Sequence, residues 1–428
     1  MRARWLMMAA ALGVAACSGE GGDPDAGAPA QDTGVLADSG VDSGVDAGSP
    51  ADAGSPDSGD VDDAGPSDTG VDAGLPPLGP VTIDLTSNRP PDLLSTMNLF
   101  RIVDGRFEYN DRVVPYDLST PLFSDYASKA RALYVPEGAS IQYTESGALD
   151  LPVGSVLIKT FLFGEDLRLP QEELHPVETR LLVRYADEWR AFPYVWNKGG
   201  TDAVYFVRGE VRTLAFIDPR GVSRTAQYLI PQKNQCLECH ERKDADDRRF
   251  TTPIGPQARQ LNWDVDFGAG PENQLQHLAD AGMLSGLPPL GQVPTAFPWA
   301  SLATTGTTTL AYEAVTEAAR DYLDMNCAHC HRPDATQGMT SRLWLNYDNT
   351  DTFHLGYCKE PGSAGSASAG RQYDIVPGDA EASILVYRTE TEVVGDMMPL
   401  LGRSVADDVA VGIVRGWVDG LPPESCGN

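Results

Sequence analysis

Basic residues are what this chain most lacks: 32 Lys plus Arg stand against 61 Asp plus Glu in 428 residues, a formal charge of −29. So acidic a chain is repelled by phosphate backbones, which argues against nucleic acid as a partner. It also has no apolar run near its start that could span a bilayer, which takes about 20 residues; the stretch from Trp5 to Val14 is too short. Histidine is scarce, at six, and cysteine numbers seven. Between residues 81 and 232 there is no nucleophile motif, phosphate loop or cluster of metal-binding side chains.

The opening MRARWLMMAAALGVAAC has two arginines, a short apolar stretch and small residues, the layout of an export signal. VAAC at 14–17 resembles the lipobox of bacterial lipoproteins, which makes Cys17 the expected lipid-anchored first residue of the mature chain. Ser18 after it, in place of Asp, fits an outer-membrane destination. Residues 18–80 repeat DAG, DSG and DTG; from Glu20 to Pro80 there are 14 acidic residues and no Lys or Arg. Such a segment cannot bury a core and is expected to be a disordered acidic tether, with an r.m.s. span of roughly 45 Å as a flexible coil. Its Asp repeats match neither an EF-hand nor a calcium-binding nonapeptide pattern.

CLECH at 236–240 and CAHCH at 327–331 are both Cys-x-x-Cys-His, the attachment signature of a c-type haem. Cysteines at i and i+3 lie on one side of a helical turn, so both thiols can add to the two haem vinyl groups while the next residue, His, reaches the iron. Cys236, Cys239 and His240 form the first set; Cys327, Cys330 and His331 form the second. A structural zinc needs four ligands and each motif offers three. A thioredoxin-like pair belongs beside a βαβ unit, which is absent here, and leaves His331 unexplained. Two covalently attached haem c groups are therefore expected, and this chemistry again requires export. Of the seven cysteines, Cys358 and Cys426 remain, an even pair in an oxidising compartment, which suggests a disulfide.

Residues 81–232 are expected to form a β-sandwich-like domain. SVLIKTFLF, TRLLVRY and RAFPYVW are strand-like, Ala186–Glu188 suits a hairpin loop, and AVYFVRG, VRTLAFI and SRTAQYLI follow, the last two separated by the turn Asp218–Gly221. A short first haem module spans 233–305, with a helical pattern in 273–288 at Leu275, Leu278, Ala279 and Met283. The second haem module, 306–428, has a helix ahead of CAHCH with Val315, Ala319, Tyr322 and Leu323 on one face. After Met397-Met398-Pro399 comes a second helix, with Ser404 as its expected N-cap and Val405, Val409, Ile413 and Trp417 as its stripe. The expected fold class is thus α+β and multidomain: a disordered tether, a β-sandwich-like domain, then a mainly α-helical dihaem region.

Helix, Cys-x-x-Cys-His, Met-Pro and a Trp-bearing helix resemble class I cytochrome c, and the resemblance implies Met398 as sixth iron ligand of the second haem, with Met397 and Met339 as competitors. VETRLLVR, WN, TDA, CLECH, GPQARQLN, NQL, NCAHCH, YDIVPGDAEASILVYR and MMPLLGR together resemble a family of exported dihaem c-type cytochromes of unestablished role. That resemblance implies electron transfer with redox partners of the cell envelope, often including a parallel β-helix protein. The competing expectation is a dihaem peroxidase-like enzyme with one open, five-coordinate haem. For the first haem, His175, His277 and Met283 are the candidates for the far side of the iron, and His277 is favoured because its helix can return over the haem from the same module.

Overall fold

The computed structural model describes residues 75–305, 310–337 and 341–427, which belong to one compact unit beginning at Gly74. The export signal, Cys17, the tether as far as 74 and Met339 lie outside the described residues. The end of the expected tether is pinned: Pro76, Gly79 and Pro80 accept hydrogen bonds at their carbonyls from Arg101, Asn110 and Asn98.

The expected strands form, and their alternating apolar residues explain why. A hairpin, β1 (Phe100–Val103) and β2 (Arg106–Tyr109), precedes β3 (Val113–Pro115), β4 (Ser128–Tyr134), the two-residue β5 (Ile141–Gln142), β6 (Val156–Phe163), β7 (His175–Arg184), β8 (Trp189–Trp196) and β9 (Ala203–Tyr205). Six of these make an antiparallel sheet in the order β3-β4-β6-β7-β8-β9. The β10 (Glu210–Ile217) and β11 (Ser223–Ile230) strands form a separate hairpin, to which Ile217 adds a bridge with Asp166. This is not two matched sheets. One face of the six-stranded sheet packs Ala132, Ile158, Leu181 and Phe192 with Phe100 of the first hairpin. The other face is covered by residues from later in the chain, including Leu261, Leu275 and Leu278 at one end and Phe216 and Tyr228 of β10–β11 at the other.

The rest of the chain corrects the expected fold class, because no mainly α-helical cytochrome region is seen. After β11 come α1 (Cys236–His240), a hairpin of β12 (Glu241–Lys243) and β13 (Arg249–Thr251), α2 (Ala258–Leu261), a hairpin of β14 (Asp264–Asp266) and β15 (Pro271–Asn273), α3 (Gln274–Asp280), β16 (Leu284–Ser285) and α4 (Ala300–Thr305). These helices are a turn or two long. Pro and Gly recur from Gly282 to Pro298, and proline cannot continue a helix. Farther on, α5 (Tyr312–Asn326), α6 (Thr352–Leu355), α7 (Ile384–Glu390) and α8 (Asp408–Gly420) are set among long loops. Only α5 and α8 have the expected length, and they pack together through Ala318, Ala319, Tyr322, Leu323, Ile413 and Trp417. The N-cap of α8 is Asp407, whose carboxylate accepts from Ala410 N, and not Ser404. Ser404 is held instead by Asp125 and itself binds the Gln227 amide. Val405 accordingly lies outside the helix, among the residues packed on β10–β11.

The β3–β4 connection ties these parts together. The Asp117 and Thr120 amides donate to the side-chain oxygens of Gln274 and Gln260, Ser119 N donates to Gln260 O while Ser119 O accepts from Trp299 N, and Asn326 at the end of α5 accepts from Phe123 N and donates to Pro121 O. Beneath this loop Arg259 of α2 pairs with Asp321 of α5 at 2.5 Å, both almost fully buried. Removing one member of a buried pair strands the other charge, so Asp321→Asn is expected to cost about 3–5 kcal/mol, read as a lower midpoint in denaturant unfolding.

Cys358 and Cys426 are joined by a disulfide across a separation of 68 residues. Both should resist alkylation until reductant is added, and Cys358→Ser should lower stability by about 2–4 kcal/mol, since the bond restricts the unfolded chain.

Candidate functional site

The first Cys-x-x-Cys-His segment is a single turn, α1, entered from β11 through Gln232, which shares reciprocal side-chain bonds with Gln235. Cys236, Cys239 and His240 are half-buried. His240 is fixed twice by Thr252 of the returning hairpin: its Nδ1 lies 3.0 Å from the Thr252 carbonyl, and Thr252 N donates to the His240 carbonyl at 2.7 Å. With Nδ1 committed, Nε2 is left to bind. Burial lowers the imidazole to about 4, so it is neutral at ordinary pH.

The second segment follows α5 directly. Cys327 caps that helix, and the amides of Cys330 and His331 both return to the Cys327 carbonyl, closing the turn. His331 Nδ1 lies 3.3 Å from Ser341 Oγ, and the Leu343 backbone also hydrogen-bonds the ring. This imidazole too is lowered to about 4 by burial.

The fold brings the two segments into contact. The Cys330 thiol donates to the Glu238 carbonyl at 3.3 Å, which sets Cys330 beside Cys239. The residues just after each motif join as well: Lys243 N donates to Asp334 O at 2.8 Å, Thr336 Oγ1 to Glu241 O at 3.3 Å, and Arg242 bridges Ala335.

Cys236, Cys239 and His240 line a cleft with about 1330 Å³ of empty space, its open mouth included. Its opposite wall is the six-stranded sheet, and Arg131, Lys159 and Arg180 face into it. His329 and the loop residues Pro399, Leu401 and Gly402 close the sides. The loop that carries Met398 therefore borders the first motif's cleft. Its backbone is fixed, with Met398 N donating to Arg388 O at 2.7 Å and Met398 O accepting from Arg403 Nε at 2.9 Å. Met397 is packed into the interior.

None of the three residues expected near the first haem lines that cleft. His277 Nδ1 is bound to Glu272 at 2.8 Å and its ring stacks on Phe267 at 3.8 Å. His175 is an exposed residue at the start of β7, and Met283 is buried with Leu275 and Leu278. The imidazole that does line it is His329, 7% exposed, with no hydrogen-bond partner at Nδ1 and its ring against the Cys239 thiol. Reading Cys-Ala-His-Cys-His as two cysteines and a ligand treats His329 as spacer.

The residues present fit a covalently attached haem at each motif. Two thiols lie on each turn, neither pair is engaged in a disulfide, and each following imidazole has its Nδ1 turned to a fixed acceptor, the arrangement that orients a metal-bound histidine. Among the described residues no cluster of three or more His, Cys, Asp or Glu suits a bare metal ion. Comparison with known proteins finds no counterpart: no family model, curated protein or solved structure matches the chain.

His329→Ala is expected to alter the spin state and absorption of a haem at the first motif while His277→Ala leaves both unchanged. The opposite pattern would favour His277 as the residue that holds the group.

Proposed function

We propose that the chain is an electron-transfer protein of the bacterial cell envelope, exported, lipid-anchored through Cys17, and carrying two haem c groups on Cys236/Cys239/His240 and Cys327/Cys330/His331. The observation that supports this most directly is the contact between the motifs, with Cys239 against Cys330. A haem supplies a one-electron couple at its iron. This chain's residues hold the two attachment edges together, keep His240 and His331 neutral and oriented, and wall the first cleft with apolar side chains such as Leu157 and Leu182. Groups held by Cys239 and Cys330 would lie at adjacent attachment edges, which would suit passage of charge through the molecule. Partners are then redox proteins of the envelope, and the family resemblance adds a parallel β-helix protein to that set. Among the described residues no helix is long and apolar enough to cross a membrane.

Produced in a host with haem-maturation machinery, the chain should retain two haems through acid–acetone extraction, and Cys327→Ala should retain one. The paired haems should show a split Soret circular dichroism signal and magnetic coupling in EPR. Loss of haem on extraction would refute covalent attachment. A native high-spin signal with robust peroxide turnover would make the protein a peroxidase-like enzyme.

A further inference from the structure

The six-stranded sheet holds a charge pattern that its own packing does not explain. The register sets Arg131 of β4 directly opposite Lys159 of β6, and Lys159 directly opposite Arg180 of β7. Side chains at paired positions share a face, so three cations stand in a row across three adjacent strands, where like charges destabilise a sheet. All three line the cleft of the first Cys-x-x-Cys-His motif. Lys129, two residues from Arg131 on the same face, adds a fourth cation and donates to the Ala127 carbonyl at 2.8 Å.

The available acids do not balance this row. Asp117 pairs with Arg131 at 2.7 Å, and Glu178 pairs with Arg180 at 2.5 Å while also receiving the Tyr228 hydroxyl at 2.6 Å. Lys159, in the middle, has no carboxylate in contact among the described residues; its ammonium lies 4.9 Å from the Phe161 ring centroid. Desolvation, reinforced by Arg131, Lys129 and Arg180, pushes Lys159 well below its ordinary value. A half-buried cation with no counter-ion is unfavourable, yet the row sits between apolar surfaces, with Leu157 and Leu182 on one side and Phe161 on the other.

We propose that Arg131, Lys159 and Arg180 form an anion seat that takes the propionate carboxylates of the haem attached at Cys236 and Cys239. A haem is a flat apolar body with two carboxylates on one edge, and this wall offers apolar surface interrupted by cations. The inference rests on the function proposed above.

The test uses the haem-loaded full chain with Lys159→Met, Lys159→Arg and Arg131→Gln, and reads haem content, spin state and the midpoint potential of each haem from pH 5 to 8. The groups facing Lys159 and Lys129 are Arg131, Arg180, Glu178, Asp125, Asp407 and His240, and all are retained in the Lys159 variants. Removing a cation beside a propionate favours the ferric state and lets the carboxylate take up a proton. Lys159→Met should therefore lower the first haem's potential by about tenfold in its reduction equilibrium, ~59 mV for one electron. It should also make that potential rise as pH falls, with two haems still bound. Arg131→Gln should act in the same direction, and Lys159→Arg should behave as the parent. Unchanged potentials in Lys159→Met and Arg131→Gln would overturn the seat. So would a change to high spin in Lys159→Met, which would make Lys159 an iron ligand, or a spectral response to added formate in the parent alone, which would give the row to a free carboxylate. Absence of haem from the parent would defeat the proposed function, a separate result.

Discussion

Neither Cys-x-x-Cys-His turn completes its own surroundings, and this mutual dependence organises the rest of the molecule. A single helical turn leaves most of its backbone groups without internal partners. Here α1 uses the Glu238 carbonyl to hold the Cys330 thiol, and the strand after it pairs with the segment after the second motif through Lys243, Asp334, Glu241 and Thr336. Cutting the chain between residues 305 and 306, as a modular reading would suggest, would break each of these contacts. The two halves form one working unit for that reason. The β3–β4 connection then fixes the pair against the sheet, because Asn326, one residue before Cys327, is bonded to Phe123 and Pro121.

The sheet is therefore a wall of the site as much as a scaffold. Its row of cations contrasts with the acidic balance of the chain: residues 20–80 alone carry 14 acidic residues and no Lys or Arg, while Arg131, Lys159 and Arg180 collect on one face of the sheet. In a low-dielectric interior each charge acts more strongly on its neighbours than on the surface. A redox centre beside Lys159 and Arg180 would have its electron affinity set in good part by this face of the sheet.

How much of this was legible in the sequence follows from which signals are local. The strands β6, β7 and β8 were legible because their apolar residues are dense and bounded by turns, and α5 because its buried face recurs at helical spacing. The motifs themselves were explicit. Their contact was not, because nothing in CLECH or CAHCH encodes a partner 91 positions away, as Cys239 and Cys330 are. Helical content in 233–428 is lower than the cytochrome-like order of motifs implies, and between Gly282 and Pro298 recurring Pro and Gly limit helix length. Ser404 is not the cap because the helix begins farther on, where Asp407 accepts from Ala410 N, and because Asp125, far away in sequence, claims the serine. A lysine within SVLIKTFLF and an arginine within TRLLVRY are charges inside strands otherwise fit for burial, and such charges need a counterpart.

That counterpart bears on the choice between carrier and enzyme. A carrier needs both irons saturated and the cleft filled by the cofactor itself; an enzyme needs room for substrate beside an open iron. The first cleft presents His240 on one wall, a buried imidazole with a vacant Nδ1 on another, and cations on the third. An imidazole can saturate an iron, and cations can hold carboxylates at the edge of the same group. On the proposed reading, residues already lining the cleft would fill both roles, which favours a carrier over an enzyme with an open site.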